Sequence, residues 1–242
     1  MRIIFLVLFI FIFSIISVAG NFERDTIATE AEDLVITFIG HGTLMFSYGE
    51  LVMHVDPVGR YADYSELPKA DIILVTHHHG DHLDPSAIEM LKKDGTEIIL
   101  TQACSDQGQN GIIMKNGGEK VIDGLRIQAV PAYNIVHHRE SGEPYHPKGV
   151  GNGYVIHFSN FSVYIAGDTE NVPEMKELAG VDCAFLPMNL PYTMTPEMVA
   201  DAVEMLQPGI LYPYHFGETD TGELLKLLGK NKSLDIRIRR MK

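Results

Sequence analysis

The chain has 242 residues, of which 45% are hydrophobic and 21% are charged, and this composition predicts a globular protein with a sizeable core. The net charge of −13 disfavours nucleic acid as a partner, because an acidic surface repels a phosphate backbone. The sequence shows no repeat of solenoid length and no low-complexity tract, so repeat and disordered classes are excluded.

The first 19 residues are an apolar segment in which Arg2 is the sole charged residue. Residues 3–16 are almost all Ile, Leu, Phe or Val, and Ser17-Val18-Ala19 provides the small residues of a signal-peptidase site. The apolar run is shorter than the ~20 residues that span a bilayer, so cleavage is favoured over an uncleaved anchor. We therefore expect a signal peptide at 1–19, a mature domain at 20–242 without a transmembrane span, and export to the periplasm or the cell exterior. An uncleaved leader would instead tether the protein to a membrane.

The N-terminal half predicts hairpin strands, followed by a further strand and a helix. A polar linker is expected at 21–33. Strands are expected at 34–39, 44–48, 51–55, 71–75 and 97–101. Asp84 and Pro85 have the residue types of an N-cap and a first helical turn, so a helix is expected to begin there. Residues 105–120 are rich in glycine and are expected to be irregular.

The C-terminal half predicts the same mixture of hairpins and helices. Further strands are expected at 125–130, 154–158, 162–166, 183–186, 210–214 and 234–238, and helices at 172–178, 197–206 and 221–228. A long polar loop at 135–151 carries three histidines, and loops of this length are often functional. Hairpins interrupted by helices predict, from the residues alone, a layered α/β or α+β fold.

One short segment, Thr-His-His-His-Gly-Asp-His at 76–82, concentrates four histidines and a carboxylate between a predicted strand and a predicted helix. His77 and His79 are two residues apart and point the same way in an extended segment. Asp81 and His82 follow the turn at the glycine and can face a second ion beside the first. Imidazole and carboxylate are the usual ligands of zinc and similar ions. A tag-like histidine run would lie at a terminus without an interleaved Gly-Asp, so a metal site is favoured over a solvated loop.

His41 and His54 lie in the N-terminal hairpins. His54 belongs to a predicted strand and has no ligand-spaced neighbour, so we interpret it as structural. His41 lies in a glycine turn and could line the site, but a structural role is favoured, since isolated histidines are usually just satisfied polar groups.

Cys104 and Cys183 permit one disulfide bond in an oxidising compartment. Cys183 lies in the apolar run 181–186, which favours two buried thiols instead. Neither cysteine sits in a metal-spaced pair.

The pattern His77-x-His79-x-Asp81-His82 resembles the signature of the metallo-β-lactamase superfamily. The N-terminal hairpins that end in Asp-Pro are similar to the first sheet of that superfamily, and the resemblance covers roughly residues 34–240. It implies an α/β fold in the form of a four-layer αββα sandwich of two mixed β-sheets with outer helices. It also implies that Asp168, in Ala-Gly-Asp-Thr, bridges two metal ions. His215, in Tyr-Pro-Tyr-His-Phe-Gly, resembles the last ligand.

The third ligand of the first ion departs from the superfamily pattern. Many members carry Thr-Pro-Gly-His after the strand that corresponds to 125–130, whereas this chain has Pro-Ala-Tyr-Asn ending at Asn134. This departure resembles a subgroup of small metal-dependent hydrolases related to ascorbate-6-phosphate lactonase and to the phospholipase D that acts on N-acyl phosphatidylethanolamines. We favour His146 as the missing ligand, because its flanking tyrosine and proline constrain its backbone. His137 or His138, or else Asn134 or water, are the alternatives.

The resemblance implies a hydrolase with two divalent ions, zinc by default, with iron or manganese compatible with the same ligands. The first ion would take His77, His79 and the loop histidine, and the second Asp81, His82 and His215. A hydroxide shared by the ions would attack an ester, lactone, amide or phosphodiester, with Asp81 holding it or passing its proton to the leaving group. The substrate is expected to be a small molecule, such as a lactone or a lipid. The alternatives are an exported β-lactamase, which the departure at position 134 disfavours, and a non-catalytic metal-binding protein.

Overall fold

Two β-sheets of seven strands each form the centre of the structure, a computed structural model that describes residues 22–241. The first sheet contains, in order, β1 (Glu23–Ala28), β2 (Asp33–Gly40), β3 (Thr43–Tyr48), β4 (Leu51–Val55), β5 (Ile72–Leu74), β6 (Glu97–Leu100) and β7 (Ile112–Ile113). The second contains β8 (Glu119–Ile122), β9 (Leu125–Ala132), β10 (Gly151–Phe158), β11 (Phe161–Ile165), β12 (Cys183–Pro187), β13 (Ile210–Tyr214) and β14 (Asp235–Ile236). The predicted signal peptide lies outside the described residues.

The helices are short. They are α1 (Pro85–Leu91), α2 (Gln102–Asp106), α3 (Pro196–Leu206) and α4 (Thr221–Leu228), with 3₁₀ turns at Tyr64–Glu66 and Pro173–Leu178. α1 and α3 begin with proline after the N-caps Asp84 and Thr195, whose side chains accept backbone N–H groups of the first turn. Across residues 22–241, every helix falls short of the length and apolar character that crossing a bilayer demands.

Each sheet combines an antiparallel half with a parallel half. Strands β1 to β4 pair antiparallel and β4 to β7 pair parallel. In the second sheet β8 to β11 pair antiparallel and β11 to β14 pair parallel. In open sheets of this kind, ligands bind outside the carboxyl ends of the parallel strands. A ligand-binding site is therefore expected at the loops after β4, β5, β11 and β13.

Two apolar clusters hold the layers together. The larger joins the facing sides of the two sheets, through residues such as Phe46 and Phe158, and extends beneath α3 and α4. The smaller joins the outer side of the first sheet to α1 and α2, through residues such as Ile73 and Leu91. This arrangement is the predicted four-layer sandwich of two mixed sheets between helices. Both cysteines are buried and free.

Two local predictions were wrong. The segment expected as a polar linker contains β1, whose residues alternate between half-buried and exposed and pair with β2. Its sequence, Glu-Arg-Asp-Thr-Ile-Ala, lacks the apolar alternation that indicates a strand. Pairing with β2 and the ion pairs of Asp25 with Arg237 and Arg239 near the C-terminus hold it in place instead. Residues 105–120, expected as irregular, contain the end of α2, all of β7 and the start of β8.

Candidate metal centre

The predicted ligand residues converge from loops at the ends of strands. The motif 77–82 follows β5, Asp168 follows β11, and His215 follows β13. His146 arrives from the long loop between β9 and β10. The two sheets thus place side chains that are up to 138 positions apart in the sequence within one cluster at a single edge.

The turn between β2 and β3 leaves room for this cluster. A side-chain carbon added to Gly42 would lie 2.8 Å from Cε1 of His82 and 3.3 Å from Cδ2 of His215. Real Cβ atoms essentially never approach a neighbour to 2.8 Å, so a larger residue would push the His82 ring aside. The absence of a side chain at Gly42 is therefore a requirement of the site.

The first group of candidate ligands consists of His77, His79 and His146. Their ligand nitrogens lie within 4.8 Å of one another. Nε2 of His77 is 3.0 Å from Nδ1 of His79. Ligand nitrogens at about 2.0–2.1 Å from a tetrahedral zinc ion are about 3.3 Å apart, so this spacing fits a shared ion. The other ring nitrogen of His77, Nδ1, lies 3.0 Å from the Thr76 hydroxyl, which fixes the ring.

The second group contains Asp81, His82 and His215. Nε2 of His82 lies 3.0 Å from Nε2 of His215. Oδ2 of Asp81 lies 3.6 Å from Nε2 of His215 and 3.9 Å from Nε2 of His82. Two imidazole nitrogens and a carboxylate oxygen therefore face one another at separations that suit a divalent ion.

Asp168 lies between the two groups and turns one oxygen toward each. Oδ2 is 3.2 Å from Nε2 of His146 and 3.9 Å from Nε2 of His77. Oδ1 is 3.5 Å from Nε2 of both His82 and His215. Oδ1 is also buried without a hydrogen-bond partner among residues 22–241. A buried carboxylate oxygen in that state calls for a cation, so the residues present fit a pair of metal ions.

The pKa shifts of His77, His79 and Asp168 favour the protonation states that metal ligands need. Burial, together with the neighbouring His146 and His78, lowers the pKa of His79 to about 4. Burial also holds the pKa of His77 well below its usual value. Burial alone would raise the pKa of Asp168, but His215 and His82 outweigh it and keep it well below its usual value. Metal binding requires neutral imidazole and ionised carboxylate, so these side chains are prepared as ligands.

His82 shows the complementary effect. Burial alone would lower its pKa, but the carboxylates of Asp168 and Asp56 outweigh burial and raise it to about 9. The position therefore attracts positive charge strongly enough to draw a proton onto a fully buried imidazole. A divalent ion at the same place would satisfy that negative potential and displace the proton.

Asp56 is a functional residue that the sequence analysis missed. Its Oδ2 lies 2.8 Å from Nδ1 of His82 and accepts the Thr76 hydroxyl at 2.7 Å, while Oδ1 accepts the Thr76 N–H at 2.7 Å. This fully buried carboxylate orients the His82 ring so that Nε2 faces the centre. The Asp-Pro pair at the end of β4 is the sequence signal for this residue.

Asn134 stands where many superfamily members have a histidine ligand, and it orients His146, the histidine predicted to replace that ligand. Its Oδ1 accepts the backbone N–H of His146 at 3.0 Å, so this atom is an acceptor and the His146 Nδ1, at 2.6 Å, must donate to it. The His146 Nε2 is then left with its lone pair toward His77 and Asp168. Of the loop histidines, His146 is therefore the one that the structure brings to the cluster.

Glu170 is a second residue that was missed. This buried carboxylate accepts the backbone N–H groups of residues 135, 136 and 137 at 2.6–2.7 Å and the Asn134 amide at 3.1 Å. It also lies 2.7 Å from Nδ1 of His137, which is thereby directed away from the first group. His138 is exposed and bonds to a carbonyl of its own loop. Neither alternative to His146 is placed with the other ligands.

His41 lies in the site, although the sequence favoured a structural role. Its Nε2 is 3.2 Å from Oδ2 of Asp81, and its ring centroid is 3.7 Å from that of His215. His41 has a φ of 53°, a left-handed conformation that β-carbons disfavour and that is common at functional sites. The Gly-His-Gly sequence was the signal for it. His54, by contrast, is fully buried and bonds to the Pro68 carbonyl at 3.1 Å, as a structural histidine does.

A cavity of about 500 Å³ opens over the cluster. Its floor contains Asp81, Asp168 and four of the histidines. Its outer part is lined by Arg60, Tyr61, Arg139, Tyr145, Asn189 and Tyr192. This volume is within the range of small-molecule sites and is too small for a polymer to be enclosed.

The fold and this cluster define a metal-dependent hydrolase of the metallo-β-lactamase type, and comparison with known proteins gives the same result. Residues 35–215 match the family described as Beta-lactamase superfamily domain. The chain is 36% identical over 199 residues to the UPF0173 metal-dependent hydrolase of Methanopyrus kandleri, covering 75% of this chain and 84% of that protein. It is 32% identical over 215 residues to the UPF0173 metal-dependent hydrolase of Thermococcus kodakarensis, covering 80% and 92%. The chain therefore belongs to the β-lactamase superfamily and, within it, to the UPF0173 metal-dependent hydrolases.

Solved structures agree on the architecture. A crystal structure of a protein named as a metal-dependent hydrolase from Parabacteroides distasonis superposes with a TM-score of 0.87 at 48% identity, covering 91% of this chain and all of that one. Igni18, a metallo hydrolase from Ignicoccus hospitalis, superposes with a TM-score of 0.71 at 23% identity over 86% of this chain and 96% of its own, and it supports the fold alone. The relation to ascorbate-6-phosphate lactonase and to the phospholipase D stays a prediction.

Proposed function

We propose that the protein is a binuclear metallohydrolase that acts on a small-molecule ester, lactone or phosphodiester. The observation that carries this proposal is the position of Asp168, which presents one oxygen to His77 and His146 and the other to His82 and His215 at 3.2–3.9 Å. A carboxylate so placed can ligate two cations and offset the charge concentrated between them.

The ligand roles follow from the two groups. His77, His79 and His146 would hold one ion, and Asp81, His82 and His215 would hold the other. Bound divalent ions, with zinc the default and iron or manganese compatible with these ligands, supply a water of lowered pKa and polarise the substrate oxygen.

Asp81 is the residue proposed to handle a proton. Burial alone would raise its pKa, but hydrogen bonds from His215 and His41 outweigh burial and lower it, so the carboxylate is ionised. Its side chain is 36% exposed and lines the cavity, so it can reach a substrate as well as the ligand cluster. It can therefore hold the attacking water by a hydrogen bond and pass the proton of that water to the leaving group.

The location of this activity rests on the N-terminal segment. The predicted signal peptide at 1–19 supports export to the periplasm or the cell exterior, with a small molecule as the substrate there. N-terminal sequencing of the protein from its native membrane and soluble fractions would distinguish a cleaved leader from a membrane tether.

Metal analysis combined with a hydrolysis panel tests the function. Protein purified without chelators should contain close to two divalent transition-metal ions per chain and should hydrolyse at least one class among esters, lactones and phosphodiesters. Asp168→Ala should lose most of the metal and all turnover, whereas Asp94→Ala, at an exposed position, should change neither. Full metal content in Asp168→Ala would refute the bridging role. Full metal content without turnover in the unaltered protein would support a non-catalytic metal-binding protein instead.

A further inference from the structure

The cavity above the candidate metal centre differs in charge from the chain as a whole. The chain contains 32 acidic and 19 basic residues. The carboxylates that line the cavity, Asp81 and Asp168, belong to the metal centre, and divalent ions would offset their charge. Among residues 22–241, the outer lining contains two arginines, Arg60 and Arg139, and no further carboxylate. The part of the cavity that a substrate meets first is therefore cationic on an acidic protein.

Arg139 is held in a defined position. Its Nη2 donates to the carbonyl of Tyr145 at 3.3 Å, and its guanidinium carbon lies 5.1 Å from the centre of the Tyr145 ring. The backbone N–H of Arg139 donates to the Glu143 carbonyl at 2.7 Å, so the arm 138–145 folds back on itself. The Tyr145 ring packs edge-on against Tyr192, with centroids 5.0 Å apart. An ordered guanidinium loses less entropy when it binds an anion than a free one does.

Arg60 reaches the same cavity from the loop after β4. The backbone N–H groups of its two neighbours are both bonded: Gly59 donates to the Asp84 carboxylate at 2.9 Å, and Tyr61 donates to the Val58 carbonyl at 3.0 Å. The Tyr61 ring stacks on His41 with centroids 5.5 Å apart, so the residue that follows Arg60 in the chain contacts a side chain of the metal centre. Two loops that are remote in sequence thus each direct one arginine to the cavity.

We propose that the substrate carries an anionic oxygen group, a carboxylate or a phosphate, which Arg60 and Arg139 bind while the scissile bond lies over the metal centre. This inference rests on the proposed hydrolase function and specifies its substrate class. Guanidinium matches both groups with paired, charge-assisted hydrogen bonds. The tyrosines that line the same cavity, Tyr61, Tyr145 and Tyr192, offer flat surfaces for the part of the substrate that links the two ends. The cavity volume limits that substrate to a small molecule.

Matched substrates test the proposal in the metal-loaded full-length protein. Three 4-nitrophenyl esters would share one acyl length and end in a carboxylate, a phosphate monoester or a neutral carboxamide. The ratio of kcat/KM for an anionic ester to kcat/KM for the carboxamide should be at least ten for one of the two anionic esters. The ester with the larger ratio shows whether the arginines prefer a carboxylate or a phosphate. Arg60→Gln and Arg139→Gln should each lower this ratio at least threefold, mainly through KM, and the double variant should abolish it. Arg126→Gln, whose side chain contacts Glu119 on β8, is the control and should keep the ratio.

A ratio of one or less in the unaltered protein would overturn the proposal, and so would an equal loss of the ratio in Arg126→Gln. A binding experiment, which needs no turnover, separates failure of this proposal from failure of the hydrolase function itself. Linear dicarboxylates of four to eight carbons and monocarboxylates of equal length would be compared by calorimetry on metal-loaded protein. Both kinds can contact the metal centre with one carboxylate, but the dicarboxylates alone can reach the arginines with another. Tighter binding of a dicarboxylate that disappears in the double variant supports the proposal even without turnover, and equal affinity refutes it.

Discussion

Replacing Asn134 tests how this chain compensates for the histidine that many superfamily members carry at that place. Asn134 is buried, and its Oδ1 accepts both the N–H and the ring Nδ1–H of His146 at 3.0 and 2.6 Å. Asn134→Ala removes the acceptor that fixes the His146 ring and its tautomer. Loss of a residue that orients a metal ligand typically costs 10–100-fold in metal affinity, or about 1.4–2.7 kcal/mol. We expect a loss of this size for one of the two ions.

The assay is a competition titration of zinc against a chelator of known affinity, with thermal unfolding of the same samples. Asn134→Ala also removes the donor to the Tyr192 carbonyl at 2.9 Å, so the free energy of unfolding should fall by about 1–3 kcal/mol. Asn134→Asp separates the two effects. Asn134→Asp keeps the oxygen that His146 needs but places a second carboxylate beside Glu170, where the amide now lies at 3.1 Å. It should therefore lose stability while retaining metal affinity better than Asn134→Ala.

The control is Asn110→Ala, at an exposed position before β7. This variant should change neither the metal affinity nor the free energy of unfolding. The reasoning is refuted if Asn134→Ala binds both ions with unaltered affinity. It is also refuted if Asn134→Ala and Asn134→Asp lose metal affinity equally, because the ring-orienting oxygen would then make no difference.

Two further predictions concern other buried groups. Asp56→Asn should lower the affinity for one ion about 10–100-fold in the same titration. The amide would donate to Nδ1 of His82, so the protonated ring nitrogen would be Nε2, which faces the metal. Unaltered affinity would exclude the orienting role of Asp56. Burial lowers the pKa of His54 to about 4 from 6.5, so the unfolded chain binds more protons between these values. The stability that depends on neutral His54 is complete above about pH 6.5 and is lost as the pH falls toward 4, by up to about 3 kcal/mol. Urea unfolding at several pH values should show this slope, and His54→Gln, which can still donate to the Pro68 carbonyl, should flatten it.

The parts of the site that sequence analysis could predict are those with local signals. His77, His79, Asp81 and His82 fall within six residues, and their spacing relative to a strand and a turn is visible in the sequence alone. Asp168 was assigned through the family resemblance, which the glycine-aspartate pair after an apolar strand carries. A layered α/β or α+β fold was predictable for a similar reason, because hairpin turns and helix caps are local features, whereas the four-layer sandwich was predicted from the family resemblance.

Asp56 and Glu170 escaped prediction because their roles depend on contacts across long sequence separations. Asp56 binds His82 from 26 positions away, and Glu170 binds the backbone of the loop from 33 to 35 positions away. A buried carboxylate such as Glu170, which accepts three backbone N–H groups, has no signature in a single sequence. β1 was missed because its stability comes from pairing with β2 and from ion pairs to the C-terminal arginines, rather than from apolar residues of its own.

The loop between β9 and β10 connects metal binding with substrate binding. Glu170 holds the start of this loop through three backbone N–H groups and through Asn134, and Asn134 in turn positions His146. The same loop extends to Arg139 and Tyr145, which line the outer cavity. In a chain that carried its third histidine directly after β9, such a loop could vary without disturbing the metal. Here the ligand directly follows Tyr145, which contacts Arg139 in the substrate-facing arm, so changes in that arm are made next to a metal ligand. Selection for a new substrate through this loop is therefore constrained by metal retention. The loop that carries Arg60 is tied to the metal centre at a different place, through Asp56, which contacts His82 at 2.8 Å.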